Sequence, residues 1–396
     1  MDLRLTEDEE AVRSAFATLF EKEAERRGST SGAEEAFDKK LWQLLVSLDS
    51  LGIANQAEDG SIVCLALLAR EAGRHLAPVP IIEGAVALRA LAAAPQASDL
   101  AADVTAGRVI ATVALEPVRD GIARHVVAGG IADVVLALDG DDFVALQSEP
   151  RRGETGDLGF LAMADRAVDA GSRTVLATGE VARQIFEDVR GWWRVATAAG
   201  LVGLGDQAIR IGVDYAKVRH QFGVPIGTFQ AVQHGLADAA TDVEGAELLL
   251  MEAAWEADQG SPTWQARAAM AYAQAGEAAQ TAASVSLHYH GGYGVAWNTR
   301  STVMSDAPRG GPWRAATRTP SGNASAGSFL RQREVSSPWT SPPARGPRRS
   351  GHRSAPSSVS TSRTRSGVRS PNQAPSTARP SIEAWQPLAS SAQRGP

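Results

Sequence analysis

Cysteine is nearly absent: Cys64 is the only one in 396 residues. That excludes a disulfide framework and a thiolate-based zinc site, and it fits a reducing cytoplasm. Long apolar runs are missing too. The most apolar stretch, Ile81 to Ala94, is broken by Glu83 and Arg89, so no membrane-spanning helix is expected. The first ten residues, Met1 to Glu10, are acidic and lack the apolar core of a signal peptide. From Met304 to Pro396 there is no Lys and no Tyr, one Phe and one Ile, against 14 Arg, 19 Ser and 13 of the 20 Pro. That segment carries a net charge of +11 and the remainder −17. Such a tail cannot bury enough apolar surface to offset chain entropy, and disorder is expected there. The whole chain is 44% apolar, and its length gives room for two or three domains around a large core.

Residues 1–105 read as an N-terminal helical domain. Thr6 and Glu9 have capping-box spacing ahead of Val12, Phe16, Leu19 and Phe20 at helical period. Phe37, Leu41, Leu44, Leu45 and Leu48 form a second apolar face, Ser61 can cap a third helix, and Pro78 and Pro80 precede a fourth, Ala-rich one. Residues 106–180 read as a small, reduced β domain. Arg108 to Leu115 is β-like, and Val134–Leu138 and Phe143–Leu146 flank an Asp-Gly-Asp-Asp turn. Residues 181–297 return to helical period as an antiparallel bundle. Long helices are expected from Val181 towards Val218, from Phe229 towards Asp258, and from a Ser261 N-cap with Pro262 at N1 to about Leu287. Residues 298–396 are the disordered tail. The fold class is therefore mainly α with a small β domain.

The most informative stretch runs from Tyr215 to His234, YAKVRHQFGVPIGTFQAVQH. Physically it is a helix end, a tight loop and a helix start. Arg219, backbone amides and Gln230 come close together there, and a helix N-terminus beside Arg suits a phosphate. A plain inter-helix turn is the alternative. The pattern Y-A-x-x-R-x-Q-F-G-x-P-I-G-x-F-Q-A-x-x-H resembles the acyl-CoA dehydrogenase family. The resemblance covers about residues 1–297 and includes Glu71–Pro80, of an actinobacterial-type branch, Ala111–Pro117 and His290-Gly291-Gly292-Tyr293-Gly294.

The resemblance implies a helical domain, a β domain and a four-helix C-terminal bundle, with FAD at subunit interfaces. Family members oxidise an acyl-CoA thioester to the 2-enoyl-CoA: a Glu removes the α-proton and the β-hydride passes to flavin. By motif position Arg219, Phe222 and Gln230 would contact FAD held mainly by a neighbouring subunit. His288 stands where the family often has Gln, and Gly291 and Gly292 would let the backbone approach the dinucleotide. Arg194 falls where many members line the reacting end of the acyl site; pairing with an acid on a neighbouring helix is its alternative. The departures are a β domain without the family's flavin-covering T-E-P-G-A-G-S-D loop and K-x-W-I strand, and no recognisable catalytic Glu. Glu187 and Asp188 are weak substitutes. Some members of the branch work as unequal subunit pairs, and this chain looks like such a partial subunit.

Several residues have plainer readings. Cys64 fits a buried small residue, and Trp192 and Trp193 fit core or interface aromatics. His288 and His290, spaced i, i+2, do not share a helix face, so no metal site is expected. His234 fits a helix surface or a CoA-side position.

The family pattern stops after Trp297. Trp is TGG and Asn is AAT or AAC, so reading one nucleotide earlier from Asn298 forces Glu. Continued, that frame permits E-Y-x-(I/V/L)-x-x-Y-V-R-R-A, which closely resembles the family's continuation. Residues from Asn298 on are therefore expected to be an out-of-frame product that truncates the bundle; an Arg-rich tail binding nucleic acid is the competing reading. Three functions stand: an FAD-dependent acyl-CoA dehydrogenase, homo- or hetero-oligomeric with dehydrogenase-like subunits; a catalytically incomplete partner subunit; and a non-enzymatic helical interaction protein. Neither nucleic acid nor a membrane is expected as partner.

Overall fold

The computed structural model describes residues 4–27, 37–54, 60–151, 162–169 and 171–295, and the tail from 298 on lies outside them. The described residues belong to one compact unit.

Helix α1 (Glu7–Arg27) opens on the expected capping box. The Thr6 N–H donates to Glu9 Oε2 at 2.7 Å, and the Glu9 N–H to Thr6 Oγ1 at 3.3 Å. In α2 (Lys39–Ser47) Leu41, Trp42 and Leu45 are buried, whereas Leu44 and Leu48 face outward. The expected apolar face was misplaced because the large Trp42 side chain takes the inward position. α3 (Ile62–Arg74) is capped twice: Ser61 Oγ accepts from the Cys64 N–H at 2.9 Å, and the Asp258 carboxylate accepts from Ile62 and Val63 at 2.7 and 3.1 Å. Asp258 thus ties the start of α3 to a segment almost 200 residues further along the chain. α4 (Ile81–Ala92) is buried on nearly every side, and α5 (Ser98–Thr105) follows.

The strands are β1 (Ala111–Val113), β2 (Ile122–Val126), β3 (Val134–Asp139), β4 (Asp142–Leu146), β5 (Pro150–Arg151), β6 (Ala164–Ala167) and β7 (Arg173–Thr178). One sheet has the order β1-β3-β4-β7 and another β2-β6-β5. β3 and β4 form the expected hairpin, with Asp139 opposite Asp142 and Gly140 at φ +61°. β1 is shorter than the Arg108–Leu115 run that was expected, because only its middle pairs, in parallel, with β3.

Three long helices follow: α6 (Gly179–Val218, 40 residues), α7 (Gln230–Asp258) and α8 (Trp264–His290). α8 begins later than the Ser261-Pro262 pair predicted. The carboxylate of Glu256 at the end of α7 accepts from Ser261 Oγ and Thr263 Oγ1, so Thr263 takes the N-cap place. Small residues set how closely these helices pack. A Cβ on Gly73 would lie 2.0 Å from Gly200 O, and one on Gly203 1.9 Å from Arg70 O, so α3 and α6 touch backbone to backbone. Beside that contact Arg74 donates to Asp206 at 2.5 Å and Arg70 to Glu247 at 3.3 Å, joining α3 to α6 and α7. Among the described residues no helix is long and apolar enough to cross a membrane.

Candidate functional site

The loop expected between α6 and α7 is a tight hairpin, β8 (His220–Gln221) and β9 (Val224–Pro225). Phe222 and Gly223 form its tip at φ +54° and +84°. Its base is closed by the Ile226 N–H donating to Arg219 O at 2.8 Å. Phe222 is 94% exposed, in a backbone region that a non-glycine residue occupies at a cost, and its ring meets Phe229 edge-on at 6.2 Å. A helical turn (Ile226–Thr228) leads to α7, whose N-cap Phe229 supplies no side-chain acceptor. The first-turn N–H groups of α7, at Gln230, therefore share the positive end of a helix with the exposed Arg219.

The glycine turn after α8 lies at the same end of the bundle. The Tyr289 hydroxyl donates to Ala231 O at 2.9 Å, and the Tyr215 ring stacks on His290 at 4.1 Å. Gly235 makes room for this contact, since a Cβ there would fall 2.1 Å from the Tyr289 oxygen. These contacts bring Arg219, Phe222, Gln230, His288, Gly291 and Gly292, dispersed over 70 residues of sequence, to one end of α6, α7 and α8. His288 is exposed, edge-on to Tyr289. Gly291 has φ +58° and ends α8, opening the short helix α9 (Gly292–Val295). Around a Cβ at Gly291 or Gly292 there is open space within 4 Å, whereas one at Gly294 would strike Leu287 O at 2.6 Å. Gly294 is thus held by packing and Gly291 by backbone conformation. Gly292 answers to neither and leaves its backbone bare. An uncapped helix start, an arginine and bare backbone suit a dinucleotide diphosphate, so the residues present fit FAD. Gly235 and Tyr289 were not singled out in the sequence, and Tyr215 stood there only as the first residue of the motif; the role of all three is contact between distant segments.

Arg194 does not join this group. It lies 24 residues before Val218 on α6, about 36 Å along the helix axis. Around it α4, α6 and α8 converge. Trp193 is buried, its indole N–H donates to Glu83 Oε1 at 3.4 Å, and its ring packs against Tyr272 at 5.5 Å. This makes Trp193 a core aromatic, as its plainer reading had it. Burial pushes the Glu83 carboxyl up and the Tyr272 hydroxyl up. Burial, and then the like charge of Arg190, lower Arg194. Arg194 makes no ion pair with an acid on a neighbouring helix among the described residues. Glu187 is paired with Arg190 at 2.9 Å, and Asp188 accepts from Gln184 and Gln265 at 3.1 and 2.8 Å. Trp192 stacks with Trp264 at 6.5 Å, and the Arg89 guanidinium lies 4.7 Å over its ring.

Residues 186–313 match the family model of the acyl-CoA dehydrogenase C-terminal domain, a match that continues past Trp297. Acyl-CoA dehydrogenase IpdE2 of Mycobacterium tuberculosis is 28% identical over 301 residues, covering 74% of this chain and 87% of that protein. Acyl-CoA dehydrogenase FadE27 of the same organism is 29% identical over 310 residues, covering 66% and 80%. The solved structure of a variant of the Tcur3481–Tcur3483 steroid ACAD superposes with a TM-score of 0.68 at 26% identity, over 79% of this chain and 96% of that one. Residues 186–313 thus carry the acyl-CoA dehydrogenase C-terminal domain, and the chain is similar to acyl-CoA dehydrogenases over most of its length.

Proposed function

We propose that the chain is a subunit of an FAD-dependent acyl-CoA dehydrogenase, which oxidises an acyl-CoA thioester to the 2-enoyl-CoA within an assembly of dehydrogenase-like subunits in the cytoplasm. The observation that carries this reading is the meeting of Arg219, Gln230 and the Gly291-Gly292 backbone at one end of the bundle. There Arg219 and the α7 N-terminus hold the diphosphate charge of FAD. Phe222 and Phe229 present an apolar edge to the subunit that carries most of the dinucleotide. When bound, FAD supplies the acceptor for the β-hydride. Arg194, remote from the hairpin, belongs to the acyl side. Full-length protein should therefore carry flavin absorbance that an acyl-CoA bleaches, and Arg219→Ala should lose flavin. Unchanged flavin content in that variant would remove the hairpin from the cofactor site.

A second reading, the catalytically incomplete partner subunit, has its own support. Of the two carboxylates preceding Arg194, Glu187 is paired with Arg190 and Asp188 accepts from two side-chain amides on Oδ1, and neither matches the catalytic Glu that the family resemblance calls for. A similar solved structure, the Tcur3481–Tcur3483 steroid ACAD, joins two components. Flavin that appears only on co-expression with a homologous subunit would select this reading.

The truncated bundle is part of the proposal. Residues from Asn298 on are read as an out-of-frame product, and the codon constraint at Trp297–Asn298 supports it. Resequencing the gene there should reveal a missing or extra base. An intact frame in the source strain and its relatives would contradict it.

A further inference from the structure

We propose that the outer face of α7 is a helix-docking seam, and that Glu244 at its centre reserves it for a non-identical subunit whose facing helix carries a basic residue there. The inference rests on the reading of the chain as one subunit of an assembly, and it names the chemistry of the partner.

α7 turns Leu236, Val243 and Leu250 inward. On the opposite side Ala237, Thr241, Glu244, Leu248, Met251 and Trp255 follow one another at alternating steps of four and three residues, the spacing of a seam between two helices. All but Met251 are exposed, Leu248 to 53% and Trp255 to 40%. Thr241 adds to the apolar character, because its hydroxyl is satisfied within the helix by donating to Ala237 O at 2.9 Å. Gly245 lies beside Glu244 with open space around it, so the backbone is bare to an approaching helix.

Charge decides which helix that is. α7 holds seven acids and neither Lys nor Arg. Four of the acids are engaged within the chain: Glu247 with Arg70, Glu252 and Glu256 with Arg267, and Asp258 with the start of α3. The other three, Asp238, Asp242 and Glu244, are exposed and make no ion pair among the described residues. Asp238 and Asp242 flank the seam, and Glu244 stands in it. Glu244 is also equidistant from Gln230 and Asp258, the ends of α7. Two copies of α7 laid along this face in full register, parallel or antiparallel, therefore set Glu244 against Glu244. Like charges facing each other in an apolar contact oppose association, whereas a Lys or Arg at that point turns the same residue into an attraction. A single charged seam position is enough to choose which helices pair. The occupant is thus a helix with small and apolar residues at seam spacing and a basic residue near its middle, not a second copy of this chain.

The test uses full-length protein and reads association by sedimentation velocity. Glu244→Lys stands in for the partner, since it places a basic residue at the centre of the seam. Native chain mixed with Glu244→Lys should associate on the order of tenfold more tightly than either protein does alone. Glu244→Leu should gain self-association, and Leu248→Asp added to it should abolish the gain and so assign it to α7. Both positions are exposed, and each variant should melt as the native protein does. A native chain that already self-associates as tightly as Glu244→Leu, and loses that association with Leu248→Asp, would make the seam homomeric and overturn the inference. A mixture and a Glu244→Leu variant that associate no more than the native chain would overturn it as well. Flavin content and its bleaching by acyl-CoA are separate readouts, so either result leaves the dehydrogenase reading standing.

Discussion

Single residues decide how closely this molecule packs. Gly203 and Gly245 both sit inside long helices, yet their surroundings differ. A Cβ on Gly203 would meet backbone at 1.9 Å, whereas around Gly245 there is open space within 4 Å. Gly203→Ala should cost about 3 kcal/mol or more, since neither backbone can yield. Gly245→Ala should stabilise by about 0.5–1 kcal/mol through helix propensity alone. Denaturant melts of the pair measure both, and similar effects would contradict the backbone contact of α3 with α6. Glu83 carries a pH prediction. Its carboxyl lies above its ordinary value of 4.5 in the folded chain because burial disfavours the charge. The stability it contributes is full below that value and is lost as pH rises through the folded pKa. Glu83→Gln should therefore raise the melting temperature at neutral pH and flatten the pH dependence. A variant that keeps the native slope would show that another group sets it.

At the scale of elements, what was legible in the sequence was local. The Thr6–Glu9 box, the Ser61 cap, the Asp139–Asp142 turn and the ends of α6 depend on residues near one another in the chain, and each stands where its spacing places it. The missed features depend on partners that spacing does not reveal. Trp42 displaces Leu44 because of what packs on α2, and Glu256 draws Ser261 away from the start of α8. The second cap on α3 comes from Asp258, almost 200 residues away. Asp258→Ala should destabilise the protein by about 1–2 kcal/mol, as expected for losing a charged N-cap. Hydrogen exchange should then show the first turn of α3 opening ahead of its centre. Exchange unchanged at Ile62 and Val63 would mean that Ser61 caps the helix by itself.

For the whole molecule the motifs were the more legible part, because the hairpin and the glycine turn are each recognisable alone. Their meeting was not, since it depends on Tyr289 reaching Ala231 and Tyr215 stacking on His290. The acyl side was the least legible. Arg194 was in view, but Glu83 and Tyr272 come from α4 and α8, and only packing brings them to Trp193. Arg194 and Val218, at the base of the hairpin, lie about 36 Å apart along one 40-residue helix, so on the proposed reading the hairpin's cofactor contact and the acyl side would be separate. That division suits an assembly in which subunits share cofactor sites. The exposed apolar residues Leu248 and Trp255, one heptad apart on α7, together with Val218 and Phe222 at the hairpin end, are faces that other subunits would cover on the proposed reading. The most direct test of the shared site is the flavin-to-protein ratio of the full-length chain, purified alone and after co-expression with a homologous subunit, for the native sequence and for Arg219→Ala. The account predicts bound FAD in the native assembly and its marked loss in the variant; a native assembly without flavin, or a variant that retains it in full, would contradict it.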